Sequence, residues 1–245
     1  MGVAATHLPS GRHLAVREDE LFPLASLVKV PILITLYREV HAGRIDLRER
    51  VAYQSATRVP GSGVLQDLDD GLSVTVRDLA TLMVTVSDNT AADVLLARLG
   101  KDRVEQAMHD LGAVSVRVPF SIRELFEEIT DAPGADYDTL SERLRLSSGS
   151  GGRAVIAEQT VRASPRDICS LFERLERRTV VDAPSCDAML DILKRTKTDT
   201  RIPALLPKGT VVAHKTGTIR GVRCDAGVIY APGGPYALAI LSKGV

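Results

Sequence analysis

The sequence predicts an α+β fold in two lobes, one antiparallel sheet assembled from both chain ends and an all-helical lobe inserted between them. Segments with strand-like alternation or short apolar runs lie at the two ends, and segments with helical periodicity lie in the interior. No internal repeat is visible in the 245 residues, which suits one domain spanning 1–245. The expected division is a sheet lobe over about 1–25 and 205–245 and a helical lobe over about 26–204. A cleft between two such lobes is a usual place for a site.

The elements follow in chain order. "GVAATHL" and "HLAVRE" flank the turn "PSGR", a hairpin pattern. "PLASLVKVPILITLY", Pro23 to Tyr37, is almost continuously apolar and reads as a buried helix. Further helices are expected over Val76–Val86, Thr90–Leu99, Arg103–Leu111, Pro165–Arg177 and Ser185–Arg195. Asp102 and Ser164 are N-cap candidates, with Pro165 at a first helical position. Gly100 and Gly112 stand where helices end. Asp131 to Ala163 reads as the least regular part, because "DAPGADYD" and "SSGSGG" are loop compositions. "GTVVAHKTG", "GVRCDAGVIYA" and "PYALAILS" read as three final strands, with "APGG" as a turn.

Bulk composition excludes several classes. Lys+Arg and Asp+Glu balance at 31 each, so no basic excess suggests nucleic acid. Hydrophobic content of 44% and charged content of 25% are ordinary for a globular chain. No apolar run approaches the roughly 18 residues of a spanning helix. The first residues lack the basic start and apolar block of a signal peptide. Cys169, Cys186 and Cys224 have no CxxC spacing and the five histidines form no HExxH pair, so neither a disulfide framework nor a metal is expected. No cofactor is expected either.

Three short stretches carry chemistry. Ser26 and Lys29 lie three apart, which places them on one helical face. A lone lysine in a helix usually reaches water along its own stem. This one is ringed by Leu27, Val28, Val30, Ile32, Leu33 and Ile34, so it has no evident route out. Burial lowers a lysine pKa, and such an amine can take a proton from a nearby serine. "TVSDNTAAD" places Ser87, Asp88 and Asn89 between two helical patterns, which alone would be a helix cap. "VVAHKTGTIRG" places Lys215, Thr216 and Gly217 at the end of an apolar strand. Alone it would be a solvent face, with Gly217 a bulge or a place of close backbone approach.

Taken together, S-x-x-K, S-D-N and K-T-G in this order are the signature of the penicilloyl-serine hydrolases. The chain resembles the class A β-lactamases and related penicillin-binding proteins along nearly its whole length, in "FPLASLVKV", "VSDNTAADVLL" and "AHKTGT". No G-x-S-x-G elbow supports the rival serine-hydrolase fold. The resemblance implies Ser26 as nucleophile, Lys29 as its base or relay partner and Ser87 as the hydroxyl that passes a proton to the leaving nitrogen. It implies Asn89 as the amide for the substrate's acylamino group, and as a partner that holds Lys29. Lys215, Thr216 and Thr218 would take the substrate carboxylate, with Gly217 between them. The backbone N–H groups of Ser26 and Thr218 would form the oxyanion hole. Asp88 is expected to brace its turn, Asp225 is an outside candidate for the site, and Arg220 or Arg223 could supply a second cation.

The sequence departs from the class A pattern at the deacylating glutamate, found there in the wording E-P-E-L-N. The matching stretch is "SIRELFEEI", Ser121 to Ile129. Ile122 stands where the glutamate belongs and Phe126 where its asparagine partner belongs. Glu124, two residues off, is the carboxylate that a slip could bring inward, with Glu127 and Glu128 following. The terminal helices that cover the sheet in the family are not found: the chain opens on a strand and stops at "ILSKGV", as in a trimmed or reduced version. Family members are usually exported, so the compartment stays open.

Three functions compete. The first is β-lactam hydrolysis through an acyl-enzyme, slowed at deacylation. The second is a peptidase, transpeptidase or other amidase acting on an acyl-D-amino-acid peptide. The third is a β-lactam sensor acylated once. A small-molecule substrate and a monomeric chain are expected in each.

Overall fold

The computed structural model describes residues 1–146 and 160–245, and the "SSGSGG" run lies outside them. The chain opens with the expected hairpin, β1 (Gly2–His7) and β2 (His13–Val16), then a two-residue strand β3 (Phe22–Pro23). A 3-10 turn over Ala25–Val28 leads into α1 (Lys29–His41), followed by the short pair β4 (Arg50–Ala52) and β5 (Ser73–Thr75). The helical lobe continues with α2 (Val76–Thr85), α3 (Asn89–Leu99), α4 (Lys101–Asp110), α5 (Ile122–Thr130) and α6 (Tyr137–Leu146). A short β6 (Arg162–Ala163), then α7 (Pro165–Glu176) and α8 (Ala183–Leu193), return the chain to the sheet strands β7 (Val211–Ile219), β8 (Val222–Ala231) and β9 (Gly234–Leu241).

The main sheet has the order β2-β1-β9-β8-β7, and every neighbouring pair is antiparallel. Both chain ends therefore meet at the β1–β9 pair, where Gly2 faces Leu241 and His7 faces Tyr236. The α+β architecture is as the sequence predicts. Alternation sets the two faces. In β9, Ala237, Ala239 and Leu241 are fully buried while Tyr236, Leu238 and Ile240 are not. Helix α7 covers the buried face with Ile168, Leu171, Phe172 and Leu175. The expected division gave this helix to the helical lobe, whereas its apolar stripe lies on the sheet, because that stripe is the cover the buried face needs. On the other face, Ile202, Val212 and Ile229 form a small cluster with Leu206, Leu238 and Ile240.

Helix α1 is the axis of the core. Lys29 and Val30 to Tyr37 are all buried, and the helix packs against α2, α3, α4 and α8. Burying each such Leu or Ile stabilises the fold by about 1.5–3 kcal/mol.

Two local expectations change. Helix α4 starts at Lys101 with Gly100 as its N-cap, so Asp102 sits in the first turn, where an acid favours the helix dipole rather than capping it. The stretch expected to be irregular holds α6, anchored by fully buried Leu140 and by Asp136, whose carboxylate accepts the Thr139 N–H at 2.8 Å. Ser164 does cap α7, accepting from the Asp167 N–H at 3.2 Å. Among the described residues, no helix is long and apolar enough to cross a membrane.

Candidate active site

The 3-10 turn before α1 carries Ser26 into a cleft between the sheet and the helical lobe, where Ser87, Asn89, Thr216 and Thr218 also line the wall. Lys29 is fully buried beneath it. Its Nζ lies 3.3 Å from Ser26 Oγ, 3.1 Å from Ser87 Oγ, 2.6 Å from the Ser87 carbonyl and 2.6 Å from Asn89 Oδ1. The two carbonyl oxygens can only accept, so they fix two N–H bonds. The third position of the amine points at two hydroxyls, each able to donate or accept. A neutral amine would keep both carbonyl bonds and receive a proton from either serine. Burial, and then the charge of Lys215, hold the Lys29 pKa well below its ordinary value.

Lys215 approaches from β7, and its Nζ donates to Ser87 Oγ at 3.0 Å and to the Thr216 carbonyl at 2.8 Å. Ser87 Oγ therefore bridges two buried lysines. Burial pulls the Lys215 pKa down to about 7, against the attraction of Asp225. Ser87 and Ala25 both hold positive φ, at 57° and 47°. Such backbones cost about 1–3 kcal/mol each and persist where the surroundings over-determine them. Asp88 supplies part of that constraint: its carboxylate caps α3 through the Ala91 N–H (2.9 Å) and ties down the N–H groups of Val64 (2.7 Å) and Leu65 (2.9 Å). Asn89 is held by the Pro60 carbonyl, which accepts its Nδ2 at 2.9 Å.

Gly217 settles the choice between bulge and close approach. It is paired in regular register with Cys224, and a side chain on it would run into the carbonyl oxygen of Leu24. Glycine lets β7 lie directly against the turn that presents Ser26.

The sequence reading looked for a second cation at Arg220 or Arg223. Neither lines the cleft, and Arg223 spends its Nη1 on the Ile219 and Val222 carbonyls at 2.9 Å. Arg201, also outside the cleft lining, is the cation it missed that reaches β7 at Thr218. Its guanidinium donates to the Gly217 carbonyl at 2.9 Å, to the Cys224 carbonyl at 2.5 Å and to Thr218 Oγ1. Asp225 stands behind it. One carboxylate oxygen accepts the Ile202 N–H at 3.0 Å, and the other pairs with His214 Nδ1 at 2.9 Å, both residues 3% exposed. Cys224 is buried, with its thiol on the Pro23 carbonyl at 3.3 Å.

The structure does not bring Glu124 to the cleft. It closes a capping box with Ser121 and pairs with Lys101 at 2.6 Å, with its side chain 47% exposed. Glu127 is engaged with Arg123 at 3.0 Å. Ile122 and Phe126 face the cleft instead. Asp93 fixes this orientation by accepting the N–H groups of Ile122 (2.8 Å) and Arg123 (2.9 Å). Among the described residues, no group of three or more His, Cys, Asp or Glu side chains could hold a metal ion.

This geometry can carry a proton from one serine hydroxyl to a lysine and onward through a second serine, beside hydroxyls and cations that suit an anion. It is the equipment of a serine acyl-transfer enzyme. The chain belongs to the β-lactamase enzyme family, whose model matches residues 1–245. A β-lactamase of Streptomyces albus G is 30% identical, over 99% of this chain and 72% of that protein. Among solved structures, a β-lactamase from Sphaerobacter thermophilus superimposes with a TM-score of 0.83 at 29% identity, covering 99% of this chain and 82% of that one. PBP-A, in a mutant form described as an acyl-enzyme complex with penicillin G, gives a TM-score of 0.81 at 30% identity, covering 99% and 80%.

Proposed function

We propose that this protein opens β-lactam amides through an acyl-enzyme on Ser26, and that it acylates faster than it deacylates. The observation that carries the proposal is the position of Lys29 Nζ, within 3.3 Å of Ser26 Oγ and 3.1 Å of Ser87 Oγ, with Lys215 on the far side of Ser87. Ser26 Oγ attacks the lactam carbonyl while Lys29, whose pKa burial holds well below its ordinary value, takes its proton. The carbonyl oxygen gathers charge between the backbone N–H groups of Ser26 and Thr218, each such donor contributing about 3 kcal/mol in the transition state. Ser87 hands a proton to the departing nitrogen. Lys215, Thr216 and Thr218 receive the substrate carboxylate, with Arg201 adding positive charge behind Thr218, and Asn89 meets the acylamino group.

The α5 wall supports slow release of the ester. A hydrolytic water needs a positioned base, and Ile122 and Phe126 offer none. This same wall favours a second reading, a transpeptidase or peptidase acting on an acyl-D-amino-acid peptide, in which a long-lived ester waits for an acceptor. A fluorescent penicillin tests the shared first step. The wild type takes up one label per chain and the Ser26→Ala variant takes up none. Labelling of Ser26→Ala overturns the proposal. Nitrocefin separates the readings: continued turnover marks a hydrolase, and a single stoichiometric burst marks an enzyme that needs another acceptor.

A further inference from the structure

The turn that carries Ser87, Asp88 and Asn89 is overlaid by the loop of residues 60–65. Asp88 accepts the N–H groups of Val64 and Leu65, and Asn89 gives an Nδ2 proton to the Pro60 carbonyl. The Asn89 N–H donates to the Ser62 carbonyl at 2.9 Å. Gly63, at a φ of 116°, lets the loop lie directly on Asp88, where any side chain would collide. This backbone clamp delivers the Ser62 side chain to the cleft. Its hydroxyl donates to the Ser87 carbonyl at 2.7 Å and lies 3.3 Å from Asn89 Oδ1, a second acceptor.

These are the two oxygens that hold the Lys29 amine, each at 2.6 Å. Ser62 belongs to none of the three motifs. A carbonyl oxygen has two lone pairs, and on Ser87 one faces Lys29 and the other Ser62. Ser87 presents both its carbonyl and its hydroxyl to the same amine, from a backbone held at a φ of 57°. A rotation of that residue would move both groups, and would carry Ser87 Oγ away from Lys215 as well. Ser62 ties the carbonyl down from the cleft side. Building on the acyl-enzyme reading above, we infer that Ser62 is a positioning residue for acylation: its hydroxyl pins the Ser87 carbonyl, and so aims the free direction of the Lys29 amine at the hydroxyls of Ser26 and Ser87. It acts on the proton-transfer step rather than on substrate binding.

Stopped-flow acylation by a fluorescent penicillin, run over a range of penicillin concentrations, separates the dissociation constant of the noncovalent complex from the limiting acylation rate. Ser62→Ala should lower the limiting rate by about 3- to 10-fold, the worth of one hydrogen bond, and leave the dissociation constant as in the wild type. Ser62→Thr, which keeps the hydroxyl, should recover most of the lost rate. Gln66→Ala loosens the same loop at another point, because Gln66 Nε2 donates to the carbonyls of Gly61 at 2.7 Å and Gly63 at 3.2 Å. It should lower the melting temperature and leave the limiting rate unchanged. In proteins that still label Ser26, four results overturn the positioning role alone. They are an unchanged limiting rate in Ser62→Ala, a loss confined to its dissociation constant, an equal slowing in Gln66→Ala, or no recovery in Ser62→Thr. A wild type that penicillin does not acylate on Ser26 overturns the acyl-enzyme reading, and the role of Ser62 with it.

Discussion

The wall of the cleft supplied by β7 and the start of α3 can be set beside the wall supplied by α5. The first places Ser87, Asn89, Lys215, Thr216 and Thr218 around Ser26, with two lysines fully or almost fully buried. The second presents Ile122, Leu125 and Phe126, and turns Glu124 and Glu127 away to pair with Lys101 and Arg123. Both walls are rigidly specified, one by Asp88 holding the strained turn at Ser87, the other by Asp93 holding the start of α5. In the proposed mechanism, forming and breaking the ester draw on different surfaces, and the first of these two walls carries the proton-transfer groups.

Breaking the polar wall should have the larger effects. Lys29→Ala removes the amine that reaches both serine hydroxyls, and acylation should slow by about 10²- to 10⁴-fold, the range for a positioned acid–base group. Stopped-flow labelling with a fluorescent penicillin measures it, and an unchanged rate would take Lys29 out of the mechanism. Lys215→Ala leaves the substrate carboxylate without its main cation. Acylation efficiency should drop by about 10- to 150-fold, equivalent to one charge-assisted hydrogen bond, and by less for an ester analogue lacking the carboxylate. The same residue should shape the pH profile. Lys215 is pulled down to about 7 by burial, so in the free enzyme its charge is present below that pH and lost above it. Efficiency toward carboxylate substrates should decline on the alkaline side of neutrality, and the ester analogue should show no such decline.

The apolar wall predicts a small effect where the sequence suggested a large one. Glu124→Gln should alter deacylation less than about twofold, since its carboxylate faces Lys101 and not Ser26. It should cost only a few tenths to about 1 kcal/mol of stability, the usual worth of an exposed ion pair. Deacylation rates and a thermal melt read both quantities.

The contrast between the walls also explains what was legible in the sequence. Ser26, Lys29, Ser87, Asn89 and Lys215 belong to three short motifs whose joint occurrence resembles a known family, and that resemblance implied their meeting. The terminal strands and the long helices were equally readable from their periodicity. Arg201 was not. It reaches Gly217, Thr218 and Cys224 from 16 to 23 residues away, along a segment with no regular structure around it beyond the turn at Pro203–Leu205. No local pattern encodes that contact. Helix α6 was hidden because the Pro and Gly of "DAPGADYD" dominate its approach. Glu124 had a signal that was passed over: Ser121 three residues before it is a capping-box pattern, which assigns the carboxylate to the Ser121 N–H at 2.6 Å before any catalytic role is considered.

The claim that acylation is equipped and deacylation is not is tested most directly by mixing the enzyme with a penicillin in slight excess and following lactam opening from milliseconds to hours. The account predicts a burst close to one equivalent per chain, then a much slower steady rate, with mass spectrometry finding the adduct on the peptide that contains Ser26. Rapid hydrolysis without a burst, with no adduct on Ser26 at steady state, would contradict it.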